Sequence, residues 1–414
     1  MIFLINFSIS ETIINLKAYF NNYYNLKRTF NLAEKLYNQG NINSAMENYR
    51  KIEEKASKII KLHNNSKFVD DALYMLAVSY SRLGEFTKAE QKFKELWTLF
   101  PNSKLINKAK IEYGIMLFNS NRLDESVIFL SEINDKRAKF YLMKAYYKLG
   151  NYQKALEIAN EIKNDKFFEN NLDFKISLAN IYLKTNNLNF AENLIEEITK
   201  ISNINDTIKN NLLVDLSDAY LENQNFENAL KTINKINYKD STSSEFFVKL
   251  KISKILLMKG DTNKALGILE YLSNLAYDST KFLSYYYLGI IYENKEDFDK
   301  ALDFYEKAIS GGVKLAQNRK EIIIKLKSMK DEKNYKKLYR LAETFYLDLN
   351  KPDLALNVLE KIINESNDEK LKNKAMLFSI YIYSKVLNDK QKAYEIYKNL
   401  NEPWLVNIAR KWIE

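Results

Sequence analysis

The chain has 414 residues, of which only nine are Gly and three are Pro, far below the roughly 7% and 5% of an average protein. Sandwiches, barrels and propellers need such residues at many tight turns, so the composition points to an all-α chain. Lys plus Arg number 63 against 53 Asp plus Glu, a net charge of +10 that favours acidic partners only weakly. Cys is absent and His63 is the single His, which excludes disulfides, thiolate nucleophiles, zinc clusters and any Ser/His relay not built on that residue. Hydrophobic residues at 46% supply ample material for a core.

Residues 1–9, MIFLINFSI, are apolar but far shorter than the roughly 20 residues that span a bilayer. They lack a Lys/Arg start and a small-residue cleavage site. Residues 1–18 are therefore set apart as an apolar N-terminal segment, either an imperfect signal peptide or a stretch packed on the first repeat.

From residue 27 onward one template recurs: a large, a small and a large residue at i, i+1 and i+4, a short turn, then a helix opening near Ala. Ala33 and Leu36 lead to Gly40 and Ala45; Leu76, Ala77 and Tyr80 lead to Gly84 and Ala89. Tyr113, Gly114 and Leu117 lead to Asn121 and Ser126, and Leu142, Met143 and Tyr146 to Gly150 and Ala155. Leu178, Ala179 and Tyr182 lead to Asn186 and Ala191; Leu216, Ser217 and Tyr220 to Gln224 and Ala229. Ile252, Ser253 and Leu256 lead to Gly260 and Ala265, and Leu288, Gly289 and Tyr292 to Glu296 and Ala301. Unrelated amphipathic helices would share the 3.6-residue period but not small residues at fixed offsets.

These residues resemble the tetratricopeptide repeat. The resemblance implies a right-handed α-solenoid of stacked antiparallel helix pairs, with the small residue of helix A letting helix B approach and a left-handed turn residue ending helix A. Pro101 falls where the family closes a repeat. The expected organisation is the N-terminal segment 1–18, a solenoid over 19–310 of about eight helix pairs, and 313–414 as about three further pairs with a capping helix. Ser310-Gly311-Gly312 marks the junction. Beyond it six helices are expected, with Pro352 and Pro403 in first turns. Leu341, Ala342 and Phe345 leading to Ala355 fit a repeat with one extra turn residue, while Tyr335 and Leu338 fit the start of a helix B.

No phosphate-cradling glycine loop, H-E-x-x-H pair or EF-hand loop occurs. The chain is accordingly read as non-enzymatic, with no cofactor and no metal. His63 reads as a surface or loop-packing residue. Ten Lys/Arg against three acidic residues between Lys314 and Arg340 form a basic stretch. Lys314, Arg319, Lys320, Lys327, Lys330 and Lys337 represent it as a patch for nucleic acid or an anionic surface; the competing reading is a solvated helix face.

In the family, helix A lines a concave groove, at offsets three before, one after and four after the small residue. The resemblance thereby assigns a partner-binding groove to Tyr74, Ile111, Phe118, Phe140, Lys144, Tyr147, Lys148 and Asn180, with Phe118, Phe140 and Tyr147 as anchors for a peptide or partner protein. Residues 19–130, with Pro101-Asn102-Ser103 as a joint between repeats, also look like bacterial envelope tetratricopeptide proteins such as the lipoprotein of the outer-membrane β-barrel assembly machine, without its lipobox Cys. That likeness favours the periplasm or cell envelope over the cytoplasm, and membrane contact only through a partner or through the N-terminal segment.

Overall fold

The structure, a computed structural model, describes residues 22–413 except 203, 238–241, 278, 332, 349 and 350. The N-terminal segment 1–18 lies outside the described residues. Among the described residues there is no strand, and the helices gather into two units, Met1–Thr232 and Ile233–Glu414.

The first unit holds α1 (Tyr24–Asn38), α2 (Ile42–Leu62), α3 (Val69–Arg82), α4 (Phe86–Leu99), α5 (Ile106–Asn119), α6 (Leu123–Ser131), α7 (Lys136–Lys148) and α8 (Tyr152–Ile162). A one-turn helix α9 (Lys166–Glu169) follows, then α10 (Leu172–Lys184), α11 (Leu188–Thr199), α12 (Asp206–Glu222) and α13, which runs over Phe226–Ile233 across the division. In the second unit lie α14 (Thr242–Lys259), α15 (Thr262–Leu275), α16 (Ser279–Asn294), α17 (Phe298–Ser310) and α18 (Lys314–Asp331). It continues with α19 (Tyr335–Glu343), α20 (Pro352–Glu365), α21 (Glu369–Tyr381), α22 (Lys390–Tyr397) and α23 (Pro403–Ile413). Within each unit consecutive helices pack as antiparallel pairs, and each pair packs on the next.

The turn chemistry follows the template. Gly40, Gly84, Gly150 and Gly260 have positive φ, and so do Asn121, Asn186, Gln224 and Glu296, which occupy the equivalent turns. Each lies five residues before the small residue of its helix B. Asn388, with φ 54°, stands five before the fully buried Ala393 and extends the same register to α21 and α22. A residue such as Gln or Glu in the left-handed region costs about 1–2 kcal/mol, whereas Asn tolerates it, so pair geometry, not local preference, holds Gln224 and Glu296 in these turns.

The small residues do the packing expected of them. A Cβ added to Gly114 would come within 2.2 Å of Leu130 Cδ2, and one added to Gly289 within 2.4 Å of Tyr305 Cε1. Ala45, Ala89, Ala155, Ala191, Ala229, Ala265 and Ala301 are fully buried. Two small positions also tie their pair together: Ser126 Oγ donates to Gly114 O and Ser217 Oγ to Ala229 O, both at 3.0 Å.

The stretch after Gly312 forms the six expected helices, and Pro352 opens α20. Leu341, Ala342 and Phe345 belong to helix A of their pair. The extra residue between Ala342 and Ala355 is accommodated where α19 runs into a π turn at Thr344–Asp348. A second π turn, Ile382–Val386, follows α21. Gly311 lies in the turn between α17 and α18, with Phe282 on the space a Cβ would fill.

Candidate partner-binding groove

The groove residues of the first unit sort by depth. Ile111, Phe118 and Phe140 are 9%, 5% and 6% exposed, which corrects the reading of Phe118 and Phe140 as open anchors. Phe118 meets Tyr141 edge-on at 5.5 Å and lies beneath Lys148 Nζ at 4.4 Å. Phe140 is covered by Phe168 and Phe174, with ring centroids 5.5 and 5.9 Å away. Phe168 comes from α9, an insertion between pairs, so the covering ring stands outside the repeat template. Tyr74 is half-buried, and its phenol is pushed up by burial and then by the carboxylates of Glu112 and Glu34.

Lys144, Tyr147, Lys148 and Asn180 remain accessible. Lys144 Nζ bonds Asp173 at 2.8 Å and sits 5.1 Å from the Phe140 ring, which ties α7 to α10. Beside it α7, α10 and α12 enclose a pocket of about 440 Å³ lined by Tyr147, Asn180, Leu183, Lys184, Asp215, Asp218, Ala219 and Glu222. Tyr147, Asn180, Leu183 and Asp218 stand at groove offsets of their repeats. Asp215 and Glu222 escape those offsets, although their i, i+3, i+7 spacing with Asp218 puts all three carboxylates on one face of α12. The Tyr147 phenol is raised by burial first, then by Tyr152 and the charge of Asp215.

Upstream, the helix A row is tied together by charge. Glu112 of α5 accepts from Arg82 Nη2 of α3 at 2.9 Å and from Arg137 Nη2 of α7 at 2.7 Å. Arg82 Nε lies 3.6 Å from Glu34 of α1, which accepts from the Tyr49 hydroxyl at 2.5 Å. The side chains of Arg82 and Glu112 are 8% and 4% exposed. Burial alone would raise the Glu112 pKa, but the two guanidinium charges overturn that and hold it below the usual glutamate value. No helical period joins these residues, so the sequence reading passed over them.

Elsewhere, His63 caps α2, with Nε2 3.1 Å from Asn22 Nδ2. Part of the basic stretch is answered by its neighbours. Arg319 pairs with Glu293 at 2.9 Å, Lys320 with Glu306 at 2.8 Å, and Lys327 with Asp299. Half of the six residues read as a patch are thus held in ion pairs, because α18 packs beside the acidic faces of α16 and α17. Lys314 and Lys337 are exposed, and the side chain of Lys330 lies outside the described residues.

Four segments match sequence models of the tetratricopeptide repeat: residues 71–103, 137–165 and 338–366 match one model and 282–310 another. They coincide with the pairs α3–α4, α7–α8, α19–α20 and α16–α17. Over 143 residues the chain is 24% identical to the signal recognition particle subunit SRP72 of Dictyostelium discoideum, an alignment covering 34% of this chain and 20% of that protein. Among solved structures, a tetratricopeptide repeat protein from Parabacteroides merdae aligns at 14% identity and a TM-score of 0.41, over 62% of this chain and 98% of its own. The C-terminal part of a repeat protein from Cytophaga hutchinsonii aligns at 13% and 0.40, over 69% and 98%. With repeat signatures matched on four helix pairs and the same turn and packing residues recurring between them, the chain carries tetratricopeptide repeats.

Proposed function

We propose that this protein is a non-enzymatic scaffold that holds a peptide or partner protein on the helix A face of its first unit, at the pocket between α7, α10 and α12. One observation carries the reading. Where Phe118 and Phe140 are closed off by their own neighbours, the side chains at Tyr147, Asn180 and Asp218 line an open pocket. Rigid helices place an aromatic ring, an amide and carboxylates around one space, the mix of apolar body and orienting polar groups that binding sites use.

Affinity purification of the tagged chain from its own cells tests this. Proteins captured by the wild type should be lost with Asn180→Arg and with Tyr147→Ala, while circular dichroism stays unchanged. Retention of the same proteins by both variants overturns the groove assignment. The likeness of residues 19–130 to envelope proteins supports a place in cell-envelope assembly, which fractionation of the same cells tests: recovery only in the cytoplasmic fraction removes it.

A further inference from the structure

We infer that the second unit holds a further binding site, a cleft between α20 and α22 that takes a short partner segment carrying a large aliphatic side chain beside an arginine or lysine. The cleft is separate from the first-unit groove and stands or falls independently of it.

The cleft encloses about 360 Å³, with α21 as its floor and α20 and α22 as its walls. Leu356 and Ile363 of α20, Met376 of α21 and Ile396 of α22 give it an apolar base. The π turn Ile382–Val386, which follows α21, carries Tyr383 into the lining. Above the base the two walls repeat one pattern. Asn357, Glu360 and Asn364 stand at i, i+3 and i+7 on α20, and Lys392, Glu395 and Asn399 at the same spacing on and just past α22, so each triplet shares one helix face.

Both glutamates are exposed, and neither side chain has a hydrogen bond or ion pair among the described residues. Lys392, the cation among the described lining residues, is already engaged: its Nζ lies 3.8 Å from Asp389 and 5.6 Å from the centre of the Tyr383 ring. The cleft thus sets two unanswered carboxylates over an apolar base, in a chain whose net charge is +10.

An aliphatic side chain seated on Met376 gains by leaving water. A cation beside it answers the carboxylates that the same segment desolvates. An acidic segment would be repelled by both walls, and a purely apolar one would cover the carboxylates without supplying a counter-charge. The amides of Asn357 and Asn364, also without a partner among the described residues, can each donate to and accept from a peptide backbone. Seven residues of helix rise about 10 Å, the reach of about three residues of extended chain, so the aliphatic and basic residues must be adjacent or one apart.

A phage-displayed random heptapeptide library, panned on the immobilised full-length chain at low salt, is the test. The wild type should select peptides with Leu, Ile or Met adjacent to, or one residue from, Arg or Lys. Their recovery should fall about tenfold on the Glu360→Lys, Glu395→Lys double variant, where two attractions become repulsions. Both positions are exposed, so the double variant should keep the wild-type circular dichroism melt. Panned in its own right, it should select the aliphatic residue beside Asp or Glu instead. Asn357→Trp, which fills the cleft from an exposed position without changing its charge, should also lower recovery of the wild-type peptides. Selected peptides without a basic residue beside the aliphatic one, undiminished recovery on either variant, or no selection at all overturns the inference. Recovery lost on Tyr147→Ala but kept on both cleft variants overturns it too, since it puts the peptides in the first-unit groove.

Discussion

Arg82 donates to Glu112 at 2.9 Å across the step from one helix pair to the next, with both side chains closed off from water. A charge pair at that depth is expensive to break from one side, because the survivor stays buried without its counter-charge. We expect Glu112→Leu, which strands Arg82 against Arg137, to cost about 3–5 kcal/mol. The double variant Arg82→Met, Glu112→Leu should cost less than that single change. Urea denaturation of the full chain, compared at matched protein concentration, checks the order of the two.

The same pair gives a pH dependence. The Glu112 pKa is lowered in the fold from its ordinary 4.5, so the unfolded chain binds the proton more readily. The stabilisation is complete above pH 4.5, the ordinary value, and is lost as pH falls through the lower folded value. Glu112→Gln should therefore show a shallower fall of thermal midpoint below that pH than the wild type. Parallel curves would contradict the assignment.

The turns make a second, independent set of expectations. Gln224 and Glu296 hold φ 56° and 57°, which Gly adopts without strain. Replacing either with Gly should stabilise the chain by about 0.5–1 kcal/mol despite the greater freedom Gly gives the unfolded state, since the relieved strain is larger. Gly84→Ala, at φ 79°, should lose about 1 kcal/mol. Denaturant midpoints of the three variants decide it, and a loss of stability in Gln224→Gly would show that the turn carries no strain.

Close packing inside the pairs predicts the opposite sign for added methyls. Gly114→Ala drives a Cβ against Leu130, and Gly289→Ala drives one against Tyr305. Each should cost about 1–3 kcal/mol, the usual range for an overfilled core. Gly267, where nothing lies within 4 Å of an added Cβ, provides the control: Gly267→Ala on α15 should be neutral or stabilising, as helix propensity alone dictates.

Much of the fold was legible because it is written in local rules. All eight turn residues named from the template adopt positive φ, since the offset from turn to helix B is fixed by the pair itself. What escaped depends on contacts far apart in the chain. Phe118 and Phe140 satisfy the groove offsets, but their closure depends on Tyr141, Lys148, Phe168 and Phe174, two of which lie in or after an insertion that no repeat rule contains. The charged row of Arg82, Glu112 and Arg137 recurs at intervals of 30 and 25 residues, so no window of sequence shows it. The basic run from Lys314 reads as a patch until α16 and α17 bring Glu293, Asp299 and Glu306 against it. The extra residue near Phe345 was visible, but its lodging in a π turn was not, because both helical continuations satisfy the same apolar spacing.

Hydrogen–deuterium exchange of the full-length chain, with and without a partner recovered by affinity purification, tests the groove most directly. The account predicts protection concentrated in peptides covering residues 144–148, 180–184 and 215–222, the segments of α7, α10 and α12 that carry Lys148 and surround the pocket. Protection confined to other segments, such as 314–340, with those three unchanged, would contradict it.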